Sequence, residues 1–193
     1  MSNRVWLSPL VCVVVALAVV PGAAWAQPAG GDVPDVSGFA DVTGDFIVHG
    51  PVRPGTPPGV HFTTADGAGC AFTLPFNPAT PADGRVTCSG SLPGIADIPL
   101  NSSSPLNGAC DWGIAAADLE RPGQVNHSKS AGYTKALGYH REGCTTEVGT
   151  KVLGVGQKVT SGVVTCGTAD GDVTVCTVGS HGFVLQPSGS FGF

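Results

Sequence analysis

Apolar and polar residues alternate in short blocks along most of this chain, and turn-forming residues separate the blocks. Val60-His61-Phe62-Thr63-Thr64 and Cys70-Ala71-Phe72-Thr73-Leu74 have the period of half-buried strands, and Ala65-Asp66-Gly67 between them is an Asp-Gly turn. Gly84-Arg85-Val86-Thr87-Cys88 predicts a third strand of the same meander. Toward the C-terminus, Lys158 to Cys166 and Val173 to Val178 predict strands on either side of a second Asp-Gly turn at Ala169 to Asp172. His181 to Leu185 predicts one more, and Pro187-Ser188-Gly189 turns the chain before Phe191 and Phe193. Phe39 to Val48 has room for a first strand, weakened by Gly44. Trp112 to Glu120 (WGIAAADLE) predicts one short helix of about two turns, with Pro122 as its stop. Val125 to Cys144 reads as irregular strands, and Ser89 to Cys110 as coil. The expected fold is therefore mainly β: a small sheet domain of meanders and hairpins, sandwich- or barrel-like, with one helix near residues 112–120.

The N-terminal segment changes where this domain is expected to work. Arg4 precedes a nearly unbroken apolar run from Leu7 to Val20, Pro21-Gly22 breaks it, and Ala24-Trp25-Ala26 is a small-x-small cleavage pattern. Residues 1–26 thus read as a secretory signal peptide, residues 27–59 as a Pro/Gly-rich linker with a possible strand, and residues 60–193 as a single β-rich domain. The rest of the chain has no apolar run near the ~20 residues of a bilayer span. The expected location is extracellular or the cell wall. Nine basic side chains stand against 14 acidic ones, and Arg4 leaves with the leader. Scattered Lys and Arg provide no footprint for nucleic acid.

Of the seven cysteines, Cys12 lies in the leader. Cys70, Cys88, Cys110, Cys144, Cys166 and Cys176 remain, an even set that predicts a disulfide framework in an exported protein. Sequence leaves the connectivity open. Proximity prefers Cys166–Cys176 across the second Asp-Gly turn, Cys70–Cys88 across a Pro-rich loop, and Cys110–Cys144 as the remainder.

Catalytic constellations are hard to find. Gly179-Ser180-His181-Gly182 is not a nucleophile elbow, and Ser180 and His181 on one strand would point to opposite faces. His140 and Cys144 are four apart with no C-x-x-C partner for zinc, so no metal and no cofactor is expected. Asp170 and Asp172 read as turn residues, and Asp118 and Glu120 as solvated. The reading is a non-enzymatic module that binds an envelope or extracellular partner through loops held by a rigid frame. The candidate loops are Ser89 to Ala109 and Leu119 to His140, with Trp112, Tyr133 and Tyr139 as aromatic contacts or as core. Two rivals stand: a secreted hydrolase using dispersed groups such as Asp111 with His140, and a carrier of a small apolar ligand inside the β-structure.

Some longer stretches carry a resemblance. His61-Phe62-Thr63-Thr64-Ala65-Asp66-Gly67-Ala68-Gly69-Cys70 with Arg85-Val86-Thr87-Cys88, then Cys110-Asp111-Trp112-Gly113, then Val164-Thr165-Cys166 and Asp172-Val173-Thr174-Val175-Cys176, and finally His181-Gly182-Phe183-Val184-Leu185-Gln186-Pro187-Ser188-Gly189-Ser190 stand in this order. They resemble a family of small exported proteins of mycobacteria and related actinobacteria. Its motifs are F-x-S/T-P-x-G-x-x-C and C…VTC…HGF-x-L-S-P. The resemblance spans Val60 to Phe193. Ala65 replaces the usual proline, and Gln186 the usual serine. The resemblance implies export and paired cysteines, and it carries over no catalytic residue.

Overall fold

The computed structural model describes residues 32–48, 58–74, 84–100, 110–130, 140–142, 145–147 and 151–193. It is a mainly β protein with two six-stranded sheets packed around one shared core. In chain order the strands are β1 (Ala40–Asp41), β2 (Ile47–Val48), β3 (Gly59–Thr63), β4 (Gly69–Thr73), β5 (Arg85–Gly90), β6 (Cys110–Asp118), β7 (Gln124–Ser130), β8 (His140–Glu142) and β9 (Thr145–Glu147). β10 (Gln157–Ser161), β11 (Val164–Ala169), β12 (Val173–Val178), β13 (His181–Leu185) and β14 (Phe191–Gly192) follow. One sheet is the antiparallel meander β2-β3-β4-β5-β6-β7. The other runs β1-β10-β11-β12-β13-β14, antiparallel except for the parallel pair β1–β10, and β8–β9 is a separate hairpin. Among the described residues no helix is long and apolar enough to cross a membrane.

The alternating pattern of the sequence is the burial pattern of the sandwich. Val60, Phe62, Phe72 and Val86 of one sheet and Val159, Val164, Val178, Phe183 and Leu185 of the other are buried in one cluster. Both expected hairpin disulfides are present. Cys70–Cys88 joins directly opposite residues of β4 and β5, and Cys166–Cys176 joins directly opposite residues of β11 and β12. All four sulfurs belong to the common core. Cys110 opens β6, while Cys144 lies outside the described residues and the expected third pairing with it.

Two expectations are corrected. The stretch expected to be a helix at 112–120 is strand, β6, and no α-helix is found among the described residues. Its alanines favour helix in isolation, but packing overrides that preference. Gly113, Ala115 and Ala117 form a small, buried column facing inward, and Leu92 and Ile95 sit so close over Gly113 that a side chain there would meet them. A helix would break that column. The second correction is Lys158 to Cys166, expected as one strand. It is a hairpin, with Gly162 (φ +59) turning the chain between Ser161 and Val164.

Residues 32–48 join the two sheets. β1 pairs in one sheet and β2 in the other, with a 3-10 turn over Thr43–Phe46 between them. Asp41 and Thr43 grip β10: the Thr160 N–H donates to Thr43 Oγ1 (2.7 Å) and Thr160 Oγ1 donates to Asp41 Oδ2 (2.7 Å). Hydrogen bonds from Thr43 and Thr160 hold the Asp41 carboxyl below the usual carboxylate range. Residues 151–155 stitch the opposite rim, where Val152 bridges Thr63 of β3 and Val155 bridges Thr168 of β11.

Thr168 and Thr174 face each other across β11 and β12, on the core side, and neither hydroxyl has a hydrogen-bond partner among the described residues. A buried hydroxyl without a hydrogen bond costs stability that an apolar group of the same shape does not. Thr174→Val is expected to raise stability by about 1 kcal/mol, read as a higher urea midpoint at unchanged slope. An unchanged or lower midpoint would show that the hydroxyl is satisfied.

Candidate functional site

β6 and β7 form the last hairpin of their sheet, and their inward faces set side chains in opposed pairs. Asp111 stands across from Lys129, Gly113 from His127, and Ala115 from Val125. The small residues leave room for the segment 91–99, which folds over this face. The result is a polar clasp beside an apolar floor. His127 is buried (7 % exposed), its Nδ1–H donates to the Ile98 carbonyl (2.8 Å), and its Nε2 lies 2.6 Å from Asp111 Oδ1. Lys129 Nζ also donates to Asp111 Oδ1. The Lys129 ammonium first, and His127 second, hold the Asp111 carboxyl below its ordinary range. The Asp111–Lys129 pair is exposed, so it contributes little stability on its own.

This arrangement speaks to the expected acid–base pairing of Asp111 with His140. Asp111 is occupied by His127 and Lys129, and the His140 side chain lies outside the described residues. The dyad that does form is not arranged for proton transfer to a substrate. A catalytic histidine turns one nitrogen to its orienting carboxylate and the other to the reacting group. In His127 that second nitrogen is held by a backbone carbonyl. The His127 ring therefore fastens the 97–99 segment to β7.

Next to the clasp lies a groove of about 520 Å³ at the rim where the two sheet edges meet. Ile98, Pro99, Val125 and Phe191 supply its apolar lining, and Asp97, Gln186, Ser188 and Ser190 its polar side chains. Its walls are braced. Ser190 Oγ donates to the Pro93 carbonyl (2.6 Å) and accepts from the Gln186 N–H (3.2 Å). Gly94, at φ +63, sits so close to Gly189 that a Cβ there would lie 2.7 Å from its Cα. Two turns distant in sequence are thus locked together beside the groove.

Trp112 lies half-buried on the outer face of the same sheet, beside exposed Ile114, away from the groove. Tyr133 and Tyr139 lie outside the described residues. The two loops marked from sequence do contribute to the groove, through Asp97, Ile98 and Pro99 in one and Val125 in the other. Gln186 and Phe191 carried no signal, because the groove needs the C-terminal strands placed against β7. Elsewhere on the molecule, burial pushes the Asp66 carboxyl up, with Asp172 of the other turn adding to it, and burial pushes the His61 ring down. Among the described residues no group of His, Cys, Asp or Glu is placed to hold a metal.

The fold and its rim define a class: a disulfide-stapled β-sandwich with an open groove between two sheet edges. No family model, no curated protein and no solved structure matches the chain. The two buried disulfides are consistent with an oxidising compartment.

Proposed function

We propose that this protein is an exported binding module of the extracellular space or cell wall, akin to the actinobacterial exported family it resembles, and that it acts by binding rather than by catalysis. The observation that carries the reading is the rim groove, with its apolar floor and walls braced by Ser190, Gly94 and His127. Pre-formed concave sites with a few fixed polar groups are where ligands usually bind. The export pattern of residues 1–26 and the buried disulfides support the location. Against a hydrolase stands the engagement of both His127 nitrogens. Against a ligand held between the sheets stands a core filled by Phe62, Phe183, Leu153 and Leu185, all buried.

The test is a fragment screen on the ¹⁵N-labelled, disulfide-bonded protein, followed by amide shifts. Shifts are expected to concentrate at residues 97–99, 125 and 186–192. Shifts confined to other surfaces would sink the groove reading, and turnover of an ester, peptide or glycoside panel would restore the hydrolase.

A further inference from the structure

The groove floor contains a gap in a sheet edge. β7 ends its sheet, and among the described residues its outer edge meets neighbours at two places. The Gly123 N–H donates to the Phe193 carbonyl (2.8 Å), and His127 forms a parallel bridge with Leu100. Between these anchors lies Val125, which lines the groove. Anchor to anchor this is about 13 Å at the ~3.3 Å rise of a strand, and within it, among the described residues, Val125 is the one whose backbone groups face outward without a partner.

Two alternations agree on where the Val125 backbone points. Gly123 turns its N–H away from β6, and along a strand every second residue does the same, so Val125 also faces outward. The second starts across the sheet. Cys70 and Cys88 are opposed with Cα atoms 4.0 Å apart, the narrow spacing of an antiparallel pair that does not exchange hydrogen bonds. Cys88 therefore bonds to Ala115, Ala115 turns away from β7, and Val125 opposite it directs its N–H and C=O into the groove. Such a donor and acceptor, side by side on an open edge, are a template for one more strand.

The side chains around this edge narrow the ligand. Ile98, Pro99, Val125 and Phe191 give an apolar floor flanked by the neutral polar Gln186, Ser188 and Ser190, and Asp97, which is exposed, is the sole ionisable side chain among the described lining residues. We propose that the groove binds a short extended polypeptide by strand addition to β7 at Val125, with apolar side chains on the floor and a basic group at Asp97. The proposal rests on the groove being the binding site. It separates from that reading because a small apolar ligand needs neither the Val125 backbone nor Asp97.

The experiment titrates the ¹⁵N-labelled, disulfide-bonded protein with a pool of blocked tetrapeptides, each holding one lysine among valine, isoleucine, threonine and phenylalanine. Two further pools serve as comparators: the same peptides N-methylated at alternate backbone nitrogens, and the peptides with lysine replaced by norleucine. Decanol is the small apolar probe. Saturable shifts at Val125, Ile98 and Phe191 are expected, with binding about tenfold weaker for the N-methylated pool. Asp97→Asn is expected to weaken the lysine pool about threefold and leave the norleucine pool unchanged. Equal binding of the N-methylated pool, or no peptide shifts at all, overturns strand addition. If decanol alone then shifts the groove amides, the groove remains a binding site with a different ligand. If nothing shifts them, the groove reading falls as well.

Discussion

Alanine at Gly182 is expected to lower the stability of this domain by about 3 kcal/mol, near the top of the range for overpacking a rigid site. Gly182 stands opposite Thr177 in the β12–β13 ladder. A Cβ there would land on the Cys176 carbonyl and 2.6 Å from Phe193 Cζ. Neither obstacle yields easily. The carbonyl belongs to a residue fixed by its disulfide to Cys166, and Phe193 is held by exchanging backbone hydrogen bonds with Gly182, 2.9 Å and 3.0 Å long. The same spot joins the sheets. The Phe193 carbonyl also accepts from the Gly123 N–H, a Cβ on Gly123 would fall on the Gly182 carbonyl, and one on Gly192 would fall on the Gly123 carbonyl. Three glycines thus let the edge of β7 touch β13 and β14 backbone to backbone. For a domain of this size the loss corresponds to a fall in Tm of roughly 6–12 °C. The control is Gly44→Ala, where a Cβ meets nothing within 4 Å and the change is expected within ~0.5 kcal/mol. Thermal unfolding of the oxidised variants checks this. If Gly182→Ala melts with Gly44→Ala, the seam is looser than its geometry states.

The strands of this fold were legible where alternation and turn chemistry agreed. β3, β4 and β5 follow the Val60–Thr64, Cys70–Leu74 and Gly84–Cys88 blocks, and β12 and β13 follow theirs. The errors share a cause: a residue whose role is set by a distant partner. Ala115 and Ala117 look like helix formers until Leu92 and Ile95 are known to pack over their strand. Gly162 looks like a strand glycine until β11 is paired back onto β10. The Asp111–His127 contact was hidden by the helix reading of 112–120. Had 110–118 and 124–130 been taken as one hairpin about Pro122-Gly123, the two residues would have fallen on one face near its open end. The groove was half legible. The loops that supply Ile98 and Val125 were marked by composition, but Gln186 and Phe191 enter only through the meeting of two sheet edges, which no local pattern encodes.

Removing either hairpin disulfide is the second large effect. Cys70–Cys88 closes a loop of 18 residues and Cys166–Cys176 one of 10. On the chain-entropy account each contributes about 3 kcal/mol, the longer loop ~0.5 kcal/mol more. That is a large share of the ~5–15 kcal/mol by which a domain is normally stable. The double variant Cys166→Ala/Cys176→Ala is expected to unfold at a lower denaturant concentration with its strand content intact at 25 °C. Cys70→Ala/Cys88→Ala should behave alike, because both bridges sit in the same core. Burial adds a kinetic signature. Cys88, Cys166 and Cys176 are 0 % exposed and Cys70 is 3 % exposed, so a phosphine reductant has no path to these sulfurs in the folded protein. Their reduction should therefore wait for unfolding. The rate of thiol release is expected to rise with urea in step with the unfolding rate measured by fluorescence. Release that is fast in buffer and indifferent to urea would mean that the sandwich opens at its disulfides without unfolding. The two bridges would then be reactive groups in an accessible rim, and the rigid frame on which the groove depends would have to be abandoned.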